Sequence, residues 1–388
     1  MRFIFSWKVS SSNKSKKWPQ ILAVLLASFS SIAVGIHFAW PSPSMPIILS
    51  DDFPVNVTSE ESSYIIAIRP LGNMLAAPLA GYLVDIIGRK YTVLMIALPT
   101  FISWMTLGFA NSVLEFYIGR FISGFGDGFY FIGYSMYVGE VTEPSIRGVV
   151  CGNIAVQLMF GMLLISCYGP YVSIRDGAII SSMFPILLVV CFIWMPESPY
   201  YLIMKHKLDE AKKALYFLRR CNVDEEFQML QGHIEKQVSD RGSYRDLFTI
   251  PSNRRALFIL IGIRAFQQLT GIAGLTMYTQ TIFTQAEINL SPATASIIYF
   301  TTLLVATAGG SVFSDKYGRR PTLILSSILT GIVHNIGGIY FLLQEVIGVD
   351  TSSIKWFPMV IAQMVGPPVT HQCTIGYLLA GLMSVRQY

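Results

Sequence analysis

Ten apolar stretches, each about as long as a membrane-spanning helix, dominate this 388-residue sequence. A helix that crosses the hydrocarbon core of a bilayer needs about 20 predominantly apolar residues. The stretches lie at about 20–41, 62–84, 91–110, 113–138, 149–170, 177–195, 255–283, 293–314, 321–343 and 356–382. Only 13% of the residues are charged, against about 25% in an average soluble domain. The sequence therefore predicts an all-α membrane protein with six spans, a loop and four further spans.

A short motif occurs twice, as DIIGRK at Asp85–Lys90 and as DKYGRR at Asp315–Arg320. Each copy lies between two apolar stretches, with Asp, Gly, Arg and a further basic residue in register. Internal repeats of this kind mark membrane proteins made of two similar halves, and transporters are often built in this way. We therefore expect an N-terminal six-helix bundle at 20–195, a cytoplasmic helical loop at 196–254 and a C-terminal bundle at 255–388.

The basic residues indicate how the chain is oriented in the membrane. If the spans alternate, the segment 1–19, Arg89, Lys90, Arg147 and the loop 196–254 all fall on one side, together with the second copy of the motif. Loops rich in Lys and Arg face the cytoplasm. The sequence therefore predicts a multi-pass plasma-membrane protein with a cytoplasmic N-terminus.

The segment between spans one and two is acidic and contains no base. Within it, Asn56 begins an Asn-Val-Thr triplet that matches the acceptor for N-glycosylation. Since this segment is predicted to face outward, we expect Asn56 to carry a glycan.

The loop 196–254 contains two stretches with helical spacing, Leu208–Arg220 and Glu225–Val238. In the first, acidic residues come early and basic residues late, which complements the helix dipole. These helices are either solvated linkers or a cytoplasmic bundle that braces the two halves, and both interpretations remain open from the sequence.

The cysteines and histidines argue against a disulfide framework or a metal site. The five cysteines are scattered, and the five histidines lack the spacing of metal ligands. No P-loop, Ser-His-Asp order or pair of catalytic carboxylates stands out, so we expect neither an enzyme nor a cofactor. The net charge of +5 is confined to a few loops, which reflects topology and not binding of nucleic acid.

Six motifs occur in a fixed order along the chain. They are GYLVDIIGRK at 81–90, GRFISGFG at 119–126, YVGE at 137–140 followed by RG at 147–148, PESP at 196–199, QQLTG at 267–271 and DKYGRR at 315–320. Over residues 20–360 this order resembles the sugar-porter branch of the major facilitator superfamily. The nearest resemblance is to insect facilitated trehalose transporters and animal facilitative glucose transporters. Six motifs in order are far more specific than any one of them.

The resemblance implies twelve helices in two six-helix bundles, with a substrate site at the midplane that opens alternately to each side. This sequence contains about ten predicted helices. It has Trp356 and Pro358, as at the start of span ten in the family, but lacks the usual Glu and Arg of that span and the last two helices. We therefore expect a truncated major facilitator fold, with about four helices in the C-terminal bundle.

Charged residues at the inner ends of the spans are candidate gate residues. By the resemblance, such charges form a network that pins one state and breaks when the inner mouth opens. Exposed ion pairs are each worth about 1 kcal/mol or less, but several together can bias two states that differ by a few kcal/mol. The candidates are Asp85, Arg89, Lys90, Arg120, Glu140, Arg147, Asp315, Arg319 and Arg320. The alternative is that these charges determine only topology.

A sugar presents hydroxyl groups and no charge, so its site needs amide side chains and aromatic rings. By the resemblance, Gln267, Gln268 and Tyr278 contact the sugar, and a hydrogen bond between helices is the alternative for the two glutamines. Gln157 and His37 are further candidates, and His37 falls where proton-coupled relatives carry an Asp. Several amide positions of the family are apolar here, so the polar lining is thinner than in a typical glucose transporter.

Four charged residues lie within predicted spans, where a charge costs about 2.5 to 3.5 kcal/mol and needs a partner. Arg120 belongs to the pattern of the family, whereas Arg69, Asp127 and Arg264 do not. We hypothesise that Asp127 pairs with Arg69 or Arg120 inside the N-terminal bundle. Arg264 precedes Gln267 by three residues and so shares its helix face.

The predicted function is facilitated diffusion of a sugar, such as trehalose or a hexose, by alternating access. Its implied partners are the sugar and the lipid bilayer, and the sequence does not address self-association. The absence of a carboxylate in span one favours passive transport. The alternative is a truncated, non-transporting relative that senses sugar or associates with a full-length transporter.

Overall fold

The computed structural model of the protein describes residues 15–239, 246–269, 271–285 and 290–342. Ten of the helices in these ranges account for the first six predicted spans. They are α1 (Trp18–Ala27), α2 (Phe29–Ala39), α3 (Pro41–Ile48), α4 (Ser59–Ile87), α5 (Arg89–Leu94), α6 (Ala97–Gly108), α7 (Val113–Phe129), α8 (Ser135–Val141), α9 (Pro144–Tyr168) and α10 (Ile174–Phe192). A π-helical turn at Tyr130–Tyr134 joins α7 to α8, and a 3-10 turn at Gly169–Tyr171 follows α9.

Nine further helices make up the rest of the described chain. They are α11 (Pro199–Met204), α12 (Leu208–Arg219), α13 (Asp224–Ser239), α14 (Asp246–Thr249), α15 (Pro251–Leu269), α16 (Ile272–Met277), α17 (Thr279–Gln285), α18 (Pro292–Tyr317) and α19 (Arg319–Phe341). The two helices predicted in the loop are confirmed as α12 and α13. The predicted span at 356–382 lies outside the described residues.

Six segments of the described chain are long and apolar enough to cross a membrane. They are Trp18–Ile48, Ser59–Ile87, Arg89–Gly108, Pro144–Tyr171, Ile174–Phe192 and Pro292–Gly310. These segments correspond to predicted spans one, two, three, five, six and eight. The stretches predicted as spans four, seven and nine are also helical, although span seven is divided into three helices, α15, α16 and α17.

The helices of residues 18–192, here called the N-terminal half, pack tightly on one another. α4 lies along α7, and α6 lies against both α7 and α10. The contact of α4 with α7 is close because of two glycines. A Cβ at Gly72 would overlap the carbonyl oxygen of Phe121, and a Cβ at Gly124 would overlap that of Arg69. Small residues at such positions let membrane helices approach each other closely.

The helices of residues 251–342, here called the C-terminal half, share an apolar core with the N-terminal half. α9 packs along α18, while α16 and α17 pack against α2 and α3. This core contains Trp40, Met45 and Met162 from the N-terminal half and Phe283 and Tyr299 from the C-terminal half. All five lie toward the membrane face that carries α3, here called the α3 side. The two halves are therefore joined on the α3 side.

The opposite face is here called the α11 side, and α15, which begins there, packs mainly against its neighbours α14 and α16. Phe258, Phe266 and Leu269 of α15 and Val305 of α18 are each more than 60% exposed. The loop helices dock on the N-terminal half, where α11 packs against α8 and α12 against α1. Among the described helices, the contacts that join the two halves therefore lie on the α3 side, and α15 takes little part in them.

Candidate functional site

Arg89 lies at the centre of a buried ionic cluster on the α11 side. It is the first residue of α5, and its side chain is fully buried. Its Nε donates to both carboxylate oxygens of Glu140, at 2.9 and 3.1 Å. Its Nη1 lies 3.4 Å from Asp85 and donates to the carbonyl oxygen of Val84 at 3.2 Å. The structure thus brings together three of the candidate gate residues, from α4, α5 and α8.

Glu197 completes this cluster from the loop after α10. Its Oε1 accepts hydrogen bonds from the backbone N–H groups of Arg89 and Lys90, at 3.0 and 2.9 Å, which have no partner within their own helix. Ser198 Oγ donates to Glu140 at 2.5 Å. Burial raises the pKa of the Glu197 carboxyl above its ordinary value, although backbone hydrogen bonds from Lys90 and Ser198 act in the opposite direction.

We call Asp85, Arg89, Glu140, Glu197 and Ser198 the inner ionic cluster. All of its members come from the N-terminal half or from the loop next to it. The sequence analysis identified 196–199 as a motif but gave no partner for Glu197. The partner could not be read from the sequence because it is a pair of backbone groups more than a hundred positions earlier.

Arg147, a further candidate gate residue, lies outside the ion pairs of this cluster. Its guanidinium donates to the carbonyl oxygen of Thr142 at 3.1 Å, and its Nε is buried without a hydrogen-bond partner. No carboxylate of the described residues lies within salt-bridge distance of it. Lys90 offers its backbone N–H to Glu197, while its ammonium group lies over the ring of Tyr91.

A second ionic cluster, which the sequence analysis missed, fastens α12 to the N-terminal half. Arg219, at the end of α12, is 4% exposed and lies 3.3 Å from Glu143 and 3.0 Å from Glu226. Its Nη1 donates to the carbonyl oxygen of Val141 at 3.1 Å. Gln20 of α1 exchanges hydrogen bonds of 2.9 and 3.1 Å with Glu143. Burial alone would raise the pKa of Glu143, but these hydrogen bonds and the charge of Arg219 outweigh it and hold the pKa below its ordinary value.

The second copy of the repeated motif forms the same type of turn as the first. Gly318 separates α18 from α19 with φ 87°, as Gly88 separates α4 from α5 with φ 101°. Glycine adopts positive φ without steric strain, which explains its place in both copies. Arg320 is exposed, and the side chains of Asp315 and Arg319 lie outside the part of the molecule that the structure describes.

The predicted substrate residues of span seven lie on a broken helix. Gly271, with φ 75°, follows the end of α15, and Tyr278 separates α16 from α17. Gln268 is exposed near the end of α15, next to Gln267, whose side chain is not among those described. Tyr278 is half-buried and packs against the core that the two halves share. Arg264 is half-buried on α15. Broken helices leave backbone polar groups free of helical partners, and many transporters bind substrate at such breaks.

Gln157 and His37, the other two substrate candidates, are buried inside the N-terminal half. The Oε1 of Gln157 accepts a hydrogen bond from the hydroxyl of Tyr134 at 3.0 Å. The ring of His37 stacks on Trp104 with 3.7 Å between centroids, and neither of its nitrogens has a hydrogen-bond partner among the described residues. Both side chains are less than one-tenth exposed, so in this conformation they contact mainly protein.

Asp127 forms the ion pair that the sequence analysis expected, and its partner is Arg69. The guanidinium Nη2 of Arg69 lies 2.8 and 2.9 Å from the two carboxylate oxygens, and both side chains are buried. Arg120 instead donates to the carbonyl oxygen of His37 at 2.9 Å and lies 5.2 Å from the ring of Trp40. Arg120 therefore lies within the N-terminal half, apart from the inner ionic cluster.

A polar contact between the two halves lies on the α3 side, at a residue that the sequence analysis did not select. The backbone N–H of Gln280, the second residue of α17, donates to Ser42 Oγ of α3 at 3.3 Å. Its side-chain amide donates to Ser296 Oγ of α18 at 3.2 Å. No motif marks these residues, because an N–H group becomes available here only through the helix break at Tyr278.

Comparison with solved structures identifies the fold. The partially occluded inward open structure of the xylose transporter XylE from E. coli matches with a TM-score of 0.70 and 18% identity, over 94% of this chain and 91% of that one. The major facilitator superfamily proton:xylose symporter XylE bound to 6-bromo-6-deoxy-D-glucose matches with the same TM-score, over 95% of this chain and 87% of that one. The protein therefore has the major facilitator fold.

Comparison of sequences identifies the family. Residues 23–365 match the family model described as Sugar (and other) transporter, and the chain belongs to this family of transporters and is not an enzyme. It is 30% identical over 353 residues to the facilitated trehalose transporter Tret1 of Polypedilum vanderplanki and 29% identical over 356 residues to that of Bombyx mori. The alignments cover 88% and 90% of this chain and 68% and 69% of those relatives. A Tret1 of Aedes aegypti, 29% identical, is covered over 43% of its length.

Proposed function

We propose that this protein moves a neutral sugar, trehalose or a hexose, across the plasma membrane by facilitated diffusion. The observation that carries the proposal is the arrangement of its two halves, which share a core on the α3 side, whereas α15 on the α11 side packs mainly on its own neighbours. This arrangement suits one state of an alternating-access cycle, in which two bundles rock about a central site. Trehalose is favoured because the curated relatives described above carry that sugar in their names.

The α11 side faces the cytoplasm in this proposal. The basic residues of both motif copies and of the loop lie on that side, and such loops remain cytoplasmic in membrane proteins. The N-terminus is then cytoplasmic too, and Asn56, exposed in the segment before α4, faces outward. In this proposal, the state described here is the inward-facing one.

The sugar contacts the broken helix of span seven. Gln267 and Gln268 come shortly before the break at Gly271 in the sequence, and Tyr278 lies at the next break with its ring and hydroxyl. Gln157 and His37 contribute from the N-terminal half once its helices shift. The amide groups donate and accept hydrogen bonds with sugar hydroxyls, which provides specificity without a charge.

The inner ionic cluster acts as the gate on the cytoplasmic side. In the state described here, Arg89 forms ion pairs with Asp85 and Glu140 within the N-terminal half. Closing the inner mouth brings Arg147 and the second motif copy, Asp315–Arg320, toward this cluster. Several weak interactions formed in one state alone shift the population of states without locking either.

Passive transport is the form that the composition of span one favours, because residues 18–48 contain no carboxylate that could take up a proton. The proposal is tested by counterflow, with the purified full chain in liposomes loaded with unlabelled trehalose or glucose. Labelled sugar should accumulate transiently inside, and a proton ionophore should leave the rate unchanged. A protein that binds the sugar in detergent but gives no counterflow with either sugar would refute transport.

Asn56 provides a test of orientation that is independent of transport. In a eukaryotic host the chain should carry a glycan that glycosidase removes, and Asn56→Gln should run at the same position as the digested wild type. Glycosidase resistance of the wild-type chain, with normal surface expression, would contradict the outward placement of this segment.

A further inference from the structure

Arg220 adopts a backbone conformation that is unusual for a residue other than glycine. It follows the last turn of α12 with φ 55° and ψ 32°, in the left-handed region, and its N–H closes the helix on the carbonyl oxygen of Tyr216 at 2.8 Å. Glycine takes this position at helix ends without strain. An arginine that is strained here suggests that its side chain is needed, because strained residues collect at functional positions.

The guanidinium of Arg220 lies between two aromatic rings at the start of the first span. Its carbon Cζ is 4.8 Å from the ring centre of Phe217 and 5.8 Å from that of Trp18. The side chain remains exposed. Trp18 is the first residue of a membrane-spanning segment, and tryptophans at such positions lie at the level of the lipid headgroups. Arg220 therefore presents its charge at headgroup depth.

Two lysines are held beside it. The backbone N–H of Lys16 donates to the carbonyl oxygen of Arg219 at 2.8 Å, so the segment that precedes α1 runs next to the end of α12. Lys16 and Lys17 are both exposed. We call Lys16, Lys17, Trp18 and Arg220 the basic corner.

The charges of the basic corner are not compensated by the described part of the protein. The neighbouring carboxylates of Glu143 and Glu226 are paired with the buried Arg219. Lys16, Lys17 and Arg220 have no carboxylate within salt-bridge distance among the described residues. The corner therefore presents three cations to its surroundings.

An exposed apolar stripe leads from the basic corner into the membrane. Trp18, Ile21, Leu22 and Leu25 are 52%, 42%, 37% and 47% exposed. Their spacing of i, i+3, i+4 and i+7 places them on one face of α1. A molecule with an anionic head and an apolar tail matches both parts of this surface at once.

We propose that the basic corner binds an anionic phospholipid of the cytoplasmic leaflet, with its headgroup at Lys17 and Arg220 and an acyl chain along the stripe. This site rests on the orientation given in the proposed function. The cytoplasmic leaflet carries negative lipids that attract basic residues at the membrane surface. An acidic segment of another protein could form ion pairs with the cations. It would not cover the apolar stripe, because the stripe lies within the membrane span.

The test is a lipid titration of the purified full chain in detergent, read by native mass spectrometry, with phosphatidylserine and with zwitterionic phosphatidylcholine. The wild type should prefer phosphatidylserine. Arg220→Gly removes the charge and relieves the backbone, so it should fold at least as well and bind phosphatidylserine about fivefold more weakly. Adding Lys17→Gln should bring the loss to about 25-fold.

Lys213→Gln is the matched control, because Lys213 is exposed on the same helix two turns before Arg220. It should bind phosphatidylserine like the wild type. Equal affinity of the wild type and Arg220→Gly, or an equal loss in Lys213→Gln, would overturn the site. A polyglutamate peptide that binds the corner, in a protein without lipid preference, would assign it to an acidic protein segment instead.

The titration contains no sugar, so its result is separate from the counterflow test. If the protein prefers phosphatidylserine through Arg220 but gives no counterflow, the lipid site is supported and the transport proposal is contradicted. If the protein transports sugar but shows no lipid preference, only the proposal of the lipid site is contradicted.

Discussion

The two copies of the repeated motif form the same turn in different surroundings. A Cβ at Gly88 would clash with the carboxylate of Glu197, whereas no heavy atom of the described chain lies within 4 Å of a Cβ at Gly318. Arg320 in the second copy is exposed, whereas Lys90, which corresponds to it in the first copy, is half-buried beside the fully buried Arg89. The motif thus determines the local backbone, and the segments that dock on it decide whether its charges are buried.

This difference has an energetic consequence. A buried charge that loses its partner destabilises a protein by about 3 to 5 kcal/mol, whereas an exposed ion pair contributes about 1 kcal/mol or less. The same substitution in the two copies should therefore have unequal effects, which can be measured.

The largest effect is expected at Arg89. Arg89→Gln leaves Glu140 and Asp85 without the cation that pairs with both and should destabilise the protein by about 3 to 5 kcal/mol. Arg320→Gln, at an exposed arginine of the second copy that corresponds in register to Lys90, is the control and should cost about 1 kcal/mol or less. Thermal unfolding of both purified variants, followed by size-exclusion chromatography, measures the difference. Equal melting temperatures would show that burial of the first copy adds nothing.

The ion pair of Arg69 with Asp127 tests the same argument inside the membrane. Asp127→Asn keeps the shape but removes the charge opposite Arg69, and should lower stability by about 3 kcal/mol and reduce the yield of folded protein. Replacing both residues with leucine should restore most of the yield, because apolar replacement of a buried pair is often neutral. Surface expression of Asp127→Asn equal to that of the wild type would count against the pairing.

A smaller effect is expected at the two glycines. Gly88→Ala forces alanine into a positive-φ conformation and against Glu197, so it should cost up to about 3 kcal/mol. Gly318→Ala meets the backbone strain without the clash and should cost about 1 to 2 kcal/mol. Melting temperatures of the two variants check this order. The reverse order would mean that Glu197 moves aside freely.

The sequence predicted the helices well because spans of about 20 apolar residues and amphipathic loop helices are local patterns. It also predicted a partner for Asp127, since an isolated carboxylate within a span must pair with one of few cations. It did not predict the cluster around Arg219. That cluster depends on where α12 docks, and nothing in the pattern of α12 shows that one of its two terminal arginines is buried while the other is exposed.

The break in span seven illustrates a second limit. The apolar stretch predicted at 255–283 is continuous in composition, and the breaks at Gly271 and Tyr278 divide it into three helices. Only the structure shows which backbone N–H groups have no acceptor within their own helix because of these breaks. The contact of Gln280 with Ser42 follows from this geometry and not from a motif.

The smallest predicted effect concerns the α3 side, where the halves meet. Ser42→Ala removes the acceptor of the Gln280 N–H, a hydrogen bond worth about 1 kcal/mol. Since this bond forms only while the halves are joined on the α3 side, its loss should favour the state open on that side about fivefold. A cysteine at Leu303, buried in the shared core, reports opening through its reaction with a membrane-impermeant thiol reagent. Cys167→Ser should be included in the background, because Cys167 is exposed.

Ser44→Ala distinguishes this hydrogen bond from a general effect on α3. Ser44 is also buried on the same short helix, and its backbone N–H donates to Trp40 within the same half. Among the described residues, it makes no hydrogen bond to the C-terminal half. It should therefore leave the labelling rate of the Leu303→Cys protein unchanged, while Ser42→Ala raises it. If both serine variants raise the rate equally, packing of α3 sets the closure of this side, and the capping of α17 by Ser42 contributes nothing to it.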